Sequence, residues 1–277
     1  MKLTKVSVAA PLIAVLALCL YGCSRPVLDY RNVQIVNGKI FAGDADKPYS
    51  GTVTNVPDSE LLKPQNGFKK FAYIIVHADA APGTPIGEQL TFDSTVPIAA
   101  LYDTPTSYCT VSVRDGWLDG PSKCTASNSD TPGTQMSFSK GVLDGDVAFF
   151  DFDRSRNLVS EGSFVNGAID GKQKVYSLKT GKLVEMVHWD KGSLTGAEEA
   201  YDGNTSKLTM RANEKNGKLD GAFVQYDPQS GTKTGQCSGL MPPDISLGED
   251  SRLDEVSDEA TSYIFSRVQG KRRVPGS

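Results

Sequence analysis

The sequence predicts a mainly β protein, in which an elongated antiparallel sheet of stacked β-hairpin repeats is followed by a C-terminal α-helix. Three observations predict this fold class. A five-residue motif recurs at a nearly fixed spacing, each copy opens with a glycine suited to a tight hairpin turn, and alternating polar and apolar residues follow it. A single unit of this kind cannot bury its own apolar face, so neighbouring units must stack on one another.

The motif is a glycine, any residue, an aliphatic residue, a short polar residue and a second glycine. Its copies begin at residues 116, 141, 167, 192 and 217, which are 25, 26, 25 and 25 residues apart. Asp or Asn before the first glycine tolerates the positive φ angles of a two-residue hairpin turn. We therefore expect each unit to hold two strands, with a second turn halfway along. The copies read GWLDG, GVLDG, GAIDG, GSLTG and GKLDG.

Aromatic residues recur around the motif. The aliphatic residue of each motif is expected in the core, the second glycine is expected to let a neighbouring strand or ring approach closely, and the aromatic rings are expected between hairpins. Each buried ring would stabilise the fold by about 1.5–3 kcal/mol. The rings are Phe150, Tyr176, Tyr201 and Tyr226 after the motif and Phe138, Phe164 and Trp189 before it.

A glycine-flanked aliphatic motif followed by an aromatic residue resembles the MORN repeat, specifically the bacterial second variant of the YwqK-like antitoxin type. The resemblance covers residues 112–235, with a divergent copy at 33–54 that contains Gly38 and Ile40. It implies stacked hairpins and leaves the activity open.

The N-terminal residues indicate export and lipidation. Lys2 and Lys5 precede an apolar run, so residues 1–22 are expected to be a signal peptide. Gly22 before Cys23 resembles the lipobox of bacterial lipoproteins, which makes Cys23 the expected lipidation site. Ser24 then favours the outer membrane, with the chain facing the periplasm. An ordinary signal peptide and an uncleaved anchor are the alternatives.

The remaining chain divides into three predicted regions. An N-terminal β-rich region with the divergent repeat and an irregular insert occupies 23–111, the MORN-like repeats occupy 112–240, and a helix with a basic tail occupies 241–277. Within the insert, the apolar run FAYIIVHADAA suits either a buried strand or a short helix, and we assign it to a strand. The C-terminal helix is expected because apolar residues recur at helical spacing between Ser251 and Gly270.

Charge and cysteine content limit the partners and the redox chemistry. Without the signal, 27 basic residues oppose 33 acidic ones, so nucleic acid is not expected as a partner. Cys109 and Cys124 would face each other across a hairpin that turns at Asp115–Gly116, and we expect a disulfide between them. Cys237 is then expected to remain a buried thiol.

No recognisable catalytic or metal-binding motif is present in the sequence. His77 and His188 are the two histidines, and neither has an orienting partner nearby in sequence. The recurring aspartates Asp119, Asp144, Asp170 and Asp220 occupy the same position in four of the five repeats, which favours a structural role in the turns over catalysis. The chain is therefore expected not to be an enzyme and to need no cofactor or metal. An unrecognised hydrolase site in residues 55–108 is the alternative.

The expected function is that of a non-catalytic periplasmic binding lipoprotein. Residues 29–57 resemble lipoproteins that accompany phospholipase-type effectors of type VI secretion, and this resemblance implies an immunity protein whose partner is a toxin. A structural or assembly lipoprotein of the outer membrane is the alternative. The membrane would be contacted through the lipid anchor. The candidate contact residues for the protein partner are Trp189, Glu198, Glu199, Tyr201, Gln225 and Tyr226.

Overall fold

The structure is a computed structural model that describes residues 25–80, 107–126, 130–151 and 156–238. The predicted signal peptide, the predicted lipidation site at Cys23 and the predicted C-terminal helix lie outside these residues. Within them, no helix is both long and apolar enough to cross a membrane.

The described chain is mainly β, as the sequence predicts, and most of it forms one large sheet in which neighbouring strands are antiparallel except for the first pair. The sheet follows the order β1-β4-β5-β6-β7-β9-β10-β11-β12-β14-β15-β17-β18, with β8, β13 and β16 as short continuations, and β2 and β3 form a separate hairpin. The strands are β1 (Val27–Asp29), β2 (Val33–Val36), β3 (Lys39–Ala42), β4 (Gly51–Pro57), β5 (Ser107–Arg114), β6 (Trp117–Ala126), β7 (Pro132–Ser139), β8 (Val142–Leu143), β9 (Gly145–Phe150), β10 (Leu158–Val165), β11 (Ala168–Tyr176), β12 (Leu183–Asp190), β13 (Ser193–Leu194), β14 (Gly196–Tyr201), β15 (Leu208–Lys215), β16 (Lys218–Leu219), β17 (Ala222–Tyr226) and β18 (Lys233–Ser238). The helices are a 3₁₀ turn (Tyr30–Asn32), α1 (Asp58–Leu62) and α2 (Asn66–Ala80).

The first glycine of each motif lies in a turn that also bonds the preceding unit. Both residues of these turns have positive φ, for example 49° at Asn166 and 81° at Gly167, which is the backbone of a type I′ hairpin. The amide of Gly167 donates to the carbonyl of Leu143, one unit earlier, at 2.8 Å. Equivalent bonds join the other consecutive units: Gly141 to Leu118, Gly192 to Ile169 and Gly217 to Leu194.

The second glycine of each motif is required chiefly for its backbone angle. Its φ is positive in all five copies, between 72° at Gly196 and 107° at Gly120, where residues with a side chain are strained. A Cβ at Gly120 would lie 3.3 Å from Ser112, whereas one at Gly171 or Gly221 would have nothing within 4 Å. The close approach of a neighbouring residue therefore does not explain why glycine occupies this position in every copy, whereas the positive φ angle does.

Residues 71–80 of the run FAYIIVHADAA belong to helix α2, so the assignment of the run to a strand was wrong. Phe68, Phe71, Ala72 and Ile75 follow the i, i+3, i+4, i+7 spacing of one side of a helix, and the first three are buried. The β-branched residues in this run favour a strand locally. The helix is favoured over a strand here because its aromatic side is buried where α2 packs on the sheet.

Helix α2 covers one face of the sheet, which we call the inner face. Phe71 lies 5.7 Å from the ring of Phe149 and 6.0 Å from that of Phe164, measured between ring centroids. The side chain of Gln173 donates to the carbonyl of Phe71 at 2.8 Å. A Cβ at Gly67 would overlap the carbonyl oxygen of Gly167, so the start of the helix touches a repeat turn directly.

The structure joins Cys109 of β5 to Cys124 of β6 in a disulfide. The two residues are directly opposed in the strand register, and both are buried. The bridge therefore links β5 and β6, the two strands that follow the insert, to each other. The side chain of Cys237 lies outside the described side chains.

Candidate functional site

The face opposite α2, which we call the outer face, carries a continuous row of directly opposed residues. The row crosses ten strands, which at about 4.8 Å per strand gives it a length of roughly 43 Å. Most of its members are exposed or half-buried. We call it the outer row; its members are Lys123, Gln135, Ala148, Glu161, Lys174, Met186, Glu199, Arg211, Val224 and Gln236.

A first charged cluster on the outer row centres on Glu161. Lys174 and the hydroxyl of Tyr176 each donate to the same carboxylate oxygen of Glu161 at 2.8 Å. The hydrogen bond from Lys174 is the main cause that lowers the pKa of Glu161, and the same bond raises the pKa of Lys174. Both groups are therefore charged at neutral pH and fixed in position while still in contact with solvent.

A second charged cluster, three strands further along, centres on Glu199. The hydroxyl of Tyr201 donates to one carboxylate oxygen at 2.6 Å, and Arg211 donates through Nε to the other at 3.0 Å. Burial alone raises the pKa of Glu199, but the hydrogen bonds from Tyr201 and Arg211 together hold it below its ordinary value. Burial and the bond to Glu199 raise the pKa of Tyr201 to about 12.

The two clusters give the outer row a fixed order of charge. Going along the row, Glu161 and Lys174 are followed by the uncharged Met186, and then by Glu199 and Arg211. A half-exposed pair such as Glu161 and Lys174 contributes only about 0–1 kcal/mol to stability, and in the other pair Glu199 is buried while Arg211 is exposed. Their oriented charges are better suited to recognition. A partner that places positive charge opposite each glutamate and negative charge opposite each basic residue would be attracted, and a partner with the reverse arrangement would be repelled.

Three of the six predicted contact residues lie on the outer face and three do not. Glu199, Tyr201 and Tyr226 lie on the outer face, and Tyr226 is close enough to Arg211 to affect its pKa. The other three face the inner side: Trp189 is 3 % exposed and donates to Gln173 at 3.0 Å, Glu198 is buried, and Gln225 lies opposite buried Met210 but is itself exposed.

Strand alternation explains both this correction and the residues that were missed. Successive residues of a strand point to opposite faces, so Glu198 and Glu199 cannot share one contact surface. Glu161, Lys174 and Arg211 were not predicted. The signal that identifies Lys174 is its position: it lies three residues after the second glycine of its motif, as Glu199 does in the next unit.

The inner face contains a buried carboxyl group at Glu185. Its Oε1 atom is buried without a hydrogen-bond partner. Burial, and secondarily the carboxylate of Glu198, raise the pKa of Glu185 well above the ordinary 4.5. Within the described residues, no group of three or more His, Cys, Asp or Glu side chains is placed to hold a metal ion.

Replacing Glu185 is expected to stabilise the fold. A group with a raised folded-state pKa keeps its proton in the folded state after the unfolded chain has released it, so stability falls as pH rises above about 4.5. Glu185→Gln is expected to add about 1 kcal/mol to the free energy of unfolding at neutral pH. This gain should shrink towards zero near pH 4, which urea denaturation at several pH values would measure.

The matched control is Glu161→Gln, whose effect should have the opposite sign. The lowered pKa of Glu161 contributes stability above the ordinary pKa of 4.5, and that stability is lost as pH falls through the folded-state value. Glu161→Gln should therefore destabilise at neutral pH and be neutral in acid. A Glu185→Gln variant that destabilises the fold at neutral pH would contradict a raised pKa for this buried carboxyl.

Comparison with known proteins gives no family. No protein-family model matches the chain, and no curated protein matches it. Among solved structures, it is similar to a TarM mutant from S. aureus in complex with fondaparinux, α-GlcNAc-glycerol and UDP, with 12 % identity over 54 % of this chain and 27 % of that one, at a TM-score of 0.27. A GtfA/B complex bound to UDP and GlcNAc is similar at 7 % identity over 57 % and 28 % of the two chains, at a TM-score of 0.20.

These neighbours overturn the prediction that the chain is not an enzyme, because the proteins they contain are glycosyltransferases. We withdraw that prediction. The match spans little more than a quarter of either neighbour. At these TM-scores, neither the fold nor the activity of these glycosyltransferases is transferred to this chain.

Proposed function

We propose that the protein is a lipid-anchored periplasmic immunity protein, which binds an envelope-targeting toxin through the outer face of its sheet. The observation that carries the proposal is the outer row, with the clusters around Glu161 and Glu199. Each cluster holds a carboxylate, a cation and a tyrosine in one geometry before any partner arrives. Groups that are already ordered lose little conformational entropy on binding.

The size and charge of the outer face suit a protein partner. A stable protein–protein interface buries about 800 Å² on each side, and a row roughly 43 Å long on a wide sheet offers such an area. Tyrosine and arginine are enriched at interfaces, and both occur in the cluster around Glu199. The net charge of −6 after removal of a signal would also steer a basic toxin towards the protein.

The anchoring and the toxin class are further parts of the proposal. Lipidation at Cys23 would hold the chain at the periplasmic side of the outer membrane, where it would meet an incoming effector. The resemblance of residues 29–57 favours a phospholipase effector of type VI secretion as the toxin. We also propose that the hairpin units are MORN-type repeats, and that the segment after residue 241 forms a helix that closes the repeat stack.

The proposal is tested by measuring whether cells survive expression of the toxin with and without this protein. Cells that lack the gene should die when an envelope-targeting effector encoded beside it is expressed in the periplasm, and restoring the gene should rescue them. Survival that does not depend on the gene, for every such effector, would contradict the proposal. Affinity capture of the intact protein separates the alternatives, because an assembly lipoprotein would capture an envelope complex in place of an effector.

A further inference from the structure

Exposed apolar side chains are concentrated on one edge of the sheet. Among the described residues, six large apolar side chains are markedly exposed; four of them lie beside the hairpin turns at residues 37–38, 140–141 and 166–167, and a fifth, Val27, lies on β1, which pairs with β4. The sixth, Tyr108, lies at the opposite end of β5, where it pairs with Pro57. We call the first group the turn edge; it consists of Val27 (69 % exposed), Ile35 (59 %), Val36 (48 %), Val142 (39 %) and Val165 (53 %), together with Trp117.

The turn edge is continuous because consecutive turns touch one another around Trp117. A Cβ at Gly38 would lie 3.6 Å from the Trp117 ring, and one at Gly141 would lie 3.1 Å from it. A Cβ at Gly167 would lie 3.5 Å from Val142, which belongs to the preceding turn. The half-buried indole of Trp117 therefore lies between the β2–β3 hairpin and the first repeat turns.

The N-terminal part of the chain reaches the sheet at this same edge. Val27 pairs with Thr52, and the adjacent Gly51 pairs with Val113, two residues before the turn at Asp115. Val27 is four positions after Cys23 in the sequence, and an extended chain of that length spans at most about 14 Å. An acyl group on Cys23 would therefore hold the turn edge close to a bilayer.

We propose that the turn edge lies on the phospholipid bilayer that carries the Cys23 acyl chains, with Trp117, Val142 and Val165 at the level of the lipid headgroups. This inference rests on the lipid anchor of the proposed function. An indole has an apolar ring and a polar N–H, which suits the interface between lipid and water. Basic groups flank the apolar residues: Lys39 lies over the Trp117 ring at 5.7 Å, and Lys140 is exposed in the next turn.

The position of the predicted anchor favours a bilayer over a protein as the occupant. An anchor within about 14 Å keeps lipid near the edge at all times, and burial of scattered exposed apolar residues at a membrane surface needs no shape complementarity. Lysines near an anionic membrane surface add electrostatic attraction. The outer row lies on the flat face of the sheet and not on this edge, so it remains available to a partner.

The two tryptophans of the chain allow a direct test. The acylated full-length protein would be reconstituted in vesicles of phosphatidylethanolamine and phosphatidylglycerol whose acyl chains carry bromine, which quenches nearby indoles. Trp117 should be quenched while the buried Trp189 is not, so that about half of the emission is lost. Trp117→Phe should abolish the quenching and leave the emission of Trp189.

Charged substitutions test whether the turn edge itself contacts the lipid bilayer. The double variant Val142→Glu, Val165→Glu should reduce the quenching at least twofold, whereas the matched control Tyr108→Glu, exposed at the opposite end of β5, should leave it unchanged. All these side chains are exposed, and the emission of Trp189 reports whether each variant is folded. Unchanged quenching in the double variant would overturn the inference.

The remaining outcomes separate this inference from the anchor and from the immunity function. If the wild-type protein floats with the vesicles but Trp117 is not quenched, the anchor stands and the inference is wrong. If it does not float, the anchor is wrong and the inference is wrong with it. Loss of protection against the toxin in the double variant, with unchanged quenching, would assign the edge to a protein and would also overturn the inference.

Discussion

Phe71→Ala is expected to lower the free energy of unfolding by about 3–5 kcal/mol, the usual loss when a fully buried phenylalanine is truncated. Phe71 is completely buried and lies against the rings of Phe68, Phe149 and Phe164. Its side chain thus joins helix α2 to β9 and β10. Because this contact attaches α2 to the sheet, its loss should expose the inner face, which urea denaturation would detect as a lower midpoint.

Phe71→Leu is the matched control, and it should cost about 1–1.5 kcal/mol because most of the apolar volume is kept. Lys69→Ala, on the half-buried side of the same helix, should change stability by less than about 0.5 kcal/mol. A Phe71→Ala variant as stable as Lys69→Ala would mean that α2 does not cover the sheet. Another part of the chain would then have to cover the apolar residues of the inner face.

Reversing a charge in the cluster around Glu199 is expected to give the largest functional effect. Arg211→Glu places a second carboxylate beside Glu199 and reverses the charge order of the outer row at that point. Losing a fixed charge at an interface weakens binding by about 2–5 kcal/mol, which is a factor of roughly 30 to several thousand in Kd. Toxin binding by the purified variant, measured by calorimetry, and survival under toxin expression should both fall.

The double swap, Glu199→Arg with Arg211→Glu, separates recognition from stability. It rebuilds an ion pair between the same two strands, so the free energy of unfolding should return to within about 0.5 kcal/mol of the wild type. Toxin binding should stay weak, because the charges now stand in the opposite order. Recovery of both stability and binding would show that the cluster is structural, and the outer row would lose its proposed role.

The hairpin repeats could be predicted from the sequence because local chemistry determines them. Asn–Gly and Asp–Gly adopt the positive φ angles of a tight turn in almost any context, and the spacing of 25 or 26 residues fixes the strand lengths between turns. The burial of Leu143, Ile169 and Leu194 follows from the same periodicity. These features need no information about distant residues.

The helix and the site depended on tertiary contacts, which the sequence does not display. The run at 71–81 contains consecutive β-branched residues, which locally favour a strand. The helix forms instead because its aromatic side chains pack against the aromatic residues of β9 and β10. The charged clusters join residues of different strands, such as Glu161 and Lys174, whose register depends on bulges between neighbouring strands. Glu198 and Glu199 are both predicted as contacts with one partner, although they are successive residues of β14 and lie on opposite faces of the sheet.

Site-specific photocrosslinking tests most directly whether the outer face binds the partner. A photoreactive amino acid would be placed at Val224, which belongs to the outer row, and separately at the next residue, Gln225, which is exposed on the opposite side. We expect the toxin to be captured from position 224 and not from position 225. Capture from position 225 alone, or equal capture from both, would contradict recognition through the outer face.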